Sequence, residues 1–352
     1  MPALSDFFSP DYSTARDRFR KAAQRAGARL ETLPIDAKGP GGEGLGIDIA
    51  WIGAAVPRRA LLHSSGLHGV EGFAGSAIQL QLLSGAPDLP PDTALVIVHI
   101  LNPFGMAWLR RVNENNVDLN RNFRPQGAYS GTPPVYPELD AFLNPKSPPA
   151  SDLYYATAVY YILRYGMAAL KQSVVGGQYE FPKGLFFGGK HIEEGPSRYQ
   201  SFLRERLGSV ERLIVIDVHT GLGKFAEDSL LVDYKDYARF RPIFGERVTA
   251  LQPGAGPAYR IEGGLESMIF REFAKADPYF VCQEFGTYAG IKVVHALRQE
   301  NRWQHYGGGG VDHPVKSNLK RTFYPEDNSW RQAVLQRGRE LLAQALAELS
   351  RD

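Results

Sequence analysis

The stretch "ALLHSSGLHGVEGFAGSAIQLQLLSG", with "ALVIVHILNPFG" soon after it, restricts the possible folds of this chain more than any other. A short apolar run ends in turn residues, a helical pattern follows, and a second β-branched run returns. Two strands joined through a helix pair in parallel, since antiparallel neighbours need only a tight turn. Parallel strands are buried on both faces, so the expectation is an α/β protein: a mixed, largely parallel twisted sheet with helices on both sides.

Further runs extend the sheet. "LGIDIAWIG", "RLIVIDVH", "SLLVDY" and "PYFVCQEF" read as strands. Helical spacing runs from Asp11 to about Ala26 with Ser13 as cap. It returns in "NSWRQAVLQRGRELLAQALAEL", where Asn328 caps and Val334, Leu335, Leu341, Leu342, Leu346 and Leu349 share a stripe. Residues 124–151, rich in Pro, Gly and Ser, read as a surface loop. Together with the helical patterns after them they form an expected insertion over 124–210 in a single domain spanning 1–352. "RWQHYGGGGVDHPVKSN" reads as loop, which places His295, His305 and His313 in a long loop region.

Composition narrows the chemistry. With 43% hydrophobic and 22% charged residues over 352 positions the chain is globular in type. The formal charge of +2 gives no electrostatic reason to expect nucleic acid or an anionic membrane, so small or neutral partners are expected. The single cysteine, Cys282, excludes an intrachain disulfide and a thiolate cluster, so any metal needs His and carboxylate ligands. "LYYATAVYYIL" is too short for a membrane span and reads as a buried helix. The N-terminus has no basic region followed by an apolar core, which makes the expected location cytoplasmic.

In open α/β sheets ligands bind beyond the carboxyl ends of the strands, so polar residues that follow apolar runs are the candidates. His68 and Glu71 follow the first run, and Arg111, Asp118, Asn120 and Arg121 follow the second. His219 ends "RLIVIDVH", and Glu284 lies near the end of "PYFVCQEF". A histidine and a glutamate three apart, among glycines where a strand passes into a helix, suit a metal pair. The same spacing in "HIEE", at 191–194, sits between loops and reads as solvated surface. A catalytic metal with an open position needs a third ligand, and His219 supplies it.

Taken in order, "GLHGVEG", "NPFGMAWLRRVNENNVDLNRNF", "DVHTG" and "QEFGT" resemble the zinc carboxypeptidase family, the carboxypeptidase-A-like metallopeptidases. The resemblance is closest to a bacterial branch described mainly as a domain of unknown function. The motifs span about residues 60–290 and leave 124–210 unmatched. The resemblance implies a phosphorylase/hydrolase-like architecture and one zinc ion held by His68, Glu71 and His219. It also implies that Glu284 is the general base and that Arg111, rather than Arg110, stabilises the oxyanion. Asn120 and Arg121 match the pair that holds a substrate's terminal carboxylate, and Asp118 matches the carboxylate that orients His68. Tyr259, by its distance to Gly263 and Gly264, matches a mobile tyrosine that caps the substrate. Glu266 falls near the position that shapes the side-chain pocket. Asp217, on the same strand face as His219, suits either a role behind that ligand or an unrelated hydrogen bond.

The expected function is a zinc-dependent hydrolase that cleaves a peptide-type amide next to a free carboxylate. An aspartoacylase-like deacylase of N-acyl amino acids is the nearest alternative. A zinc-bearing binding protein without catalysis is the alternative of another class, and the presence of Glu284 argues against it. The expected partner is a peptide or peptide-like small molecule, and the oligomeric state is left open.

Overall fold

In the computed structural model, which describes residues 4–251 and 263–351, the apolar runs pair into one mixed sheet of eight strands. They are β1 (Arg29–Lys38), β2 (Gly44–Gly53), β3 (Arg59–Ser65), β4 (Thr93–His99), β5 (Arg212–Gly221), β6 (Asp228–Asp233), β7 (Val248–Leu251) and β8 (Tyr279–Gly286). Their order across the sheet is β1-β2-β4-β3-β5-β8-β6-β7. The central strands β4, β3, β5 and β8 are mutually parallel, whereas β2 pairs antiparallel with β1 and β4, and β6 with β8. β3, β4 and β5 are buried along nearly their whole length, which is why they read as unbroken Val, Ile and Leu runs. The edge strands β1 and β7 lack that signal: β1 is half exposed and contains Pro34, and β7 has four residues.

Helices cover both faces. On one, Tyr12–Arg25, Gly72–Ser84, Tyr237–Phe244 and Asn328–Leu349 bury Phe19, Phe73, Phe240, Trp330 and Leu341 against the strands. On the other, Glu194–Leu207 and Leu265–Glu272 bury Tyr199, Leu203, Met268 and Ile269. Two caps differ from expectation. Asp11, not Ser13, accepts the Thr14 N–H at 2.7 Å, and Asp327, not Asn328, accepts the Trp330 N–H at 3.0 Å. In both cases the carboxylate lies three residues before the N–H it satisfies, as N-cap geometry requires.

Three stretches read as loop or buried helix are otherwise. Residues 124–151 contain the helix Tyr136–Leu143, with Tyr136, Leu139 and Leu143 buried. A proline in its first turn starts it rather than breaking it, because that N–H has no helical acceptor anyway. His295 and His305 lie in the helix Gly290–Tyr306, and His313 caps Pro314–Phe323, so only the glycine tract between them turns. The helix Tyr154–Tyr165 buries only Tyr154 and Ala158, while Leu153 and Leu163 are 79% and 81% exposed. It covers a cavity rather than filling a core. No helix among the described residues is long and apolar enough to cross a membrane.

Candidate metal centre

Parallel pairing brings β3, β5 and β8 to a common carboxyl edge, and each delivers part of the site there. His219 of β5 stands opposite Glu284 of β8 in the strand register. The chain leaves β3 through Gly66, which adopts φ +70°, and a β-carbon there would lie 2.3 Å from Ile100. A short turn, Gly69–Glu71, then carries His68 and Glu71 into the helix Gly72–Ser84.

Three potential ligands face one another. His68 Nδ1 lies 3.2 Å from Glu71 Oε1, and His219 Nδ1 lies 3.4 Å from Glu71 Oε2 and 3.2 Å from His68 Nδ1. The second nitrogen of each ring meets a carboxylate: His68 Nε2 is 3.2 Å from Asp118 Oδ1, and His219 Nε2 is 2.6 Å from Asp217 Oδ2. That arrangement turns both Nδ1 atoms toward Glu71. Ser64 Oγ donates to Asp217 at 2.7 Å, fixing it in turn. The ligand atoms of His68, Glu71 and His219 lie within 4.8 Å of one another, and all three side chains are buried. Two imidazole nitrogens and one carboxylate, each ring held from behind by an acceptor, form a donor set that fits a divalent metal ion.

Burial opposes the ionised form of Glu71, but His68 and Arg111 hold it well below the usual carboxylate range. Burial likewise opposes charge on His219, and Asp217 with Glu71 pushes its proton affinity well above that of an ordinary histidine. Asp118 also stays well below its usual value despite burial, because Arg121 and Arg111 flank it. Glu284 goes the other way. Burial and the charge of Glu71 raise its carboxyl to about 7, while the Leu222 N–H donates to its Oε1 at 2.8 Å.

Arg111 lies among these groups. Its Nη1 donates to Glu71 Oε1 at 2.6 Å, its Nε to Asp118 Oδ2 at 3.3 Å, and its Nη2 is 2.8 Å from His68 Nε2. Arg110 points elsewhere, into a buried cluster where its Nε donates to Glu300 at 2.9 Å and its Nη2 to Asn116 at 2.8 Å. Asn120 reaches the cavity wall, and its Oδ1 accepts the Leu265 N–H at 3.1 Å.

Arg121 departs from the expectation of a substrate contact. It is fully buried, donates to the Val175 carbonyl and approaches Asp118 Oδ1 at 3.4 Å, and it takes no part in the cavity wall. The helix Met167–Val175, which motif spacing did not reveal, places the Val175 carbonyl over it. Tyr259 lies outside the described residues.

The site opens into a cavity of about 960 Å³. Its polar lining comes mainly from the strand ends and nearby turns, with His68, Glu71, Arg111, His219 and Glu284 among it. Cys282 and Phe280 share that lining with Glu284, as alternation along β8 dictates. Glu266 also lines the cavity, its carboxyl pushed up to about 7 by burial and by Asp233 and Asp236. Lys171 is a lining residue that sequence reasoning missed, because it belongs to the segment without a matching motif. Burial lowers its proton affinity, and the negative charge of Glu284 partly restores it.

A family model described as "Protein of unknown function (DUF2817)" matches residues 8–337. No curated protein sequence matches the chain. Among solved structures the chain is similar to carboxypeptidase A from Helicoverpa armigera, at 14% identity and a TM-score of 0.45, over 90% of this chain and 74% of that one. It is similar to bovine thrombin-activatable fibrinolysis inhibitor, solved with tick carboxypeptidase inhibitor, at 13% identity and a TM-score of 0.47, over 96% and 98% of the two chains. It is also similar to a succinylglutamate desuccinylase from a Silicibacter species, at 14% identity and a TM-score of 0.41, over 80% of this chain and 67% of that one.

Proposed function

The chain belongs to the DUF2817 family, and from its site we propose a zinc-dependent hydrolase that cleaves a peptide-type amide next to a free carboxylate. One observation carries this reading: two imidazole Nδ1 atoms and a carboxylate converge while Glu284 stands in the adjacent strand opposite His219. His68, Glu71 and His219 would hold the ion. When bound, zinc supplies Lewis acidity and brings the pKa of a water to about 7.

Glu284 is the proposed general base. Its carboxyl lines the cavity beside His219, and burial raises its proton affinity, which suits it to accept a proton and return it to a leaving amine. Arg111 has a guanidinium at the cavity wall and beside the ligands, which suits it to steady negative charge on the attacked carbonyl oxygen. Asp118 and Asp217 hold the two imidazoles in orientation. Among the described residues Arg111 and Lys171 are the arginine and lysine that line the cavity, and either can meet a substrate carboxylate. We assign no such contact to Arg121, whose guanidinium is enclosed.

The aspartoacylase-like reading, cleavage of an N-acyl amino acid, draws support from that same enclosure of Arg121 and from the apolar helices around the cavity. The decisive experiment compares the parent protein and Glu284→Gln, both with measured metal content, on C-terminal dipeptides and N-acyl amino acids. Hydrolysis that falls about 10²-fold or more in the variant at equal metal content is the expected result. Equal rates in the two proteins would end the proposal.

A further inference from the structure

We propose that the cavity beside the metal centre binds a long apolar acyl chain, so that the preferred substrate is a fatty acyl group in amide linkage to a small carboxylate-bearing amine. The inference rests on the amide-hydrolase reading and specifies its substrate class. The cavity, the metal centre included, measures about 960 Å³, at the upper end of small-molecule sites and far beyond the voids that a packed core tolerates.

The helical side of the cavity decides what fits. It is walled by Leu139, Phe142, Ile162, Leu170, Val294 and Leu297, none of which carries a hydrogen-bonding side chain. Tyr154 brings a hydroxyl to this wall, but that group already donates to the Ile291 carbonyl at 2.9 Å. Among the described residues of the helices Tyr136–Leu143, Tyr154–Tyr165, Met167–Val175 and Gly290–Tyr306, Lys171 is the one charged side chain in the lining.

A peptide entering this space would bury backbone N–H and C=O groups opposite methyl and phenyl surfaces. Apart from Lys171, this wall offers such groups no side-chain partner for the water they lose. Ordered water fares little better, since it needs two or more polar neighbours. A polymethylene chain has no hydrogen bond to lose there and removes its own surface from water. The three helices from Tyr136 to Val175 would thereby acquire a purpose: they build the wall of an acyl site over the open edge of the sheet.

The test is calorimetric titration of zinc-loaded Glu284→Gln with N-acylglycines from acetyl to palmitoyl, each below its micelle concentration. Affinity should rise about fourfold per added methylene through the middle of the series and level off once the cavity is full. Ala158→Trp and Ile162→Trp, two independent changes that fill the wall away from the ligands, should end the rise at a shorter chain. Both should leave acetylglycine binding unchanged. Affinity independent of chain length, or a palmitoyl chain bound equally well by the parent and both folded tryptophan variants, would overturn the inference. The readout is binding alone, so it stands or falls separately from the rate comparison that tests hydrolysis.

Discussion

Gly69 lies so close to Gly105 that a β-carbon on it would sit 2.3 Å from the Gly105 carbonyl carbon and 2.6 Å from the Arg110 oxygen. The Val70 N–H donates to that same Arg110 oxygen at 2.9 Å. The turn bearing His68 and Glu71 is therefore clamped, backbone to backbone, onto the turn that delivers Arg111. Gly69→Ala should separate them. The expected cost is about 1–3 kcal/mol in denaturant unfolding, together with weaker zinc binding in competition with a chelator. Unchanged midpoint and affinity would show that the clamp does not position His68 and Glu71.

Asp118→Asn and Asp217→Asn each weaken the hold on one imidazole. Each is expected to lower zinc affinity by about 10–100-fold, read by competition with a coloured chelator. The two should differ in stability. Asp118 also balances Arg111 and Arg121, so its replacement leaves buried guanidinium charge less compensated, whereas Asp217 faces a serine and a histidine. A greater loss of stability for Asp217→Asn would contradict that account.

Glu300 accepts from Arg110 at 2.9 Å and from Lys316 at 2.7 Å, and all three side chains are buried. Removing the shared anion strands two cations, which typically costs about 3–5 kcal/mol. Glu300→Gln should accordingly show a large loss of denaturation midpoint with zinc stoichiometry unchanged in the fraction that folds. A neutral result would mean that water or another acceptor compensates the pair.

His63 and His99 are fully enclosed, and burial lowers both to about 4, with Asp217 and Asp48 respectively opposing the shift in part. The unfolded chain takes up these protons near 6.5, and the folded protein only near 4. Stability is thus fully present above the unfolded value and is lost as pH falls through this window, by about 3 kcal/mol for each histidine at most. Denaturant midpoints between pH 7 and pH 4.5 measure it. His63→Gln and His99→Gln should flatten the decline, and an undiminished slope in both would assign acid sensitivity to other groups.

Much of the architecture was legible in the apolar runs. β3, β4, β5 and β8 are covered on both faces, and continuous burial leaves continuous hydrophobicity in the chain. β1 remained hidden because an edge strand needs no such run, and the helix Gly290–Tyr306 was obscured by the glycine tract that follows it. His68, Glu71, His219 and Glu284 were legible as candidates because each sits where an apolar run gives way to a polar residue at a strand end.

Local sequence thus determined the buried central strands, which residues stand at their carboxyl ends, and the residue types on offer to a metal. Only the tertiary structure decided which of those residues meet. Strand register sets Glu284 against His219, Asp217 and Asp118 turn the two imidazoles, and the Val175 carbonyl withdraws Arg121 from the cavity. The apolar cavity, too, appears only when helices remote in sequence close over the sheet edge. The physical reason is range: hydrophobic patterning and capping act between near neighbours, whereas a buried charge takes its partner from whatever the whole fold brings within a few ångströms.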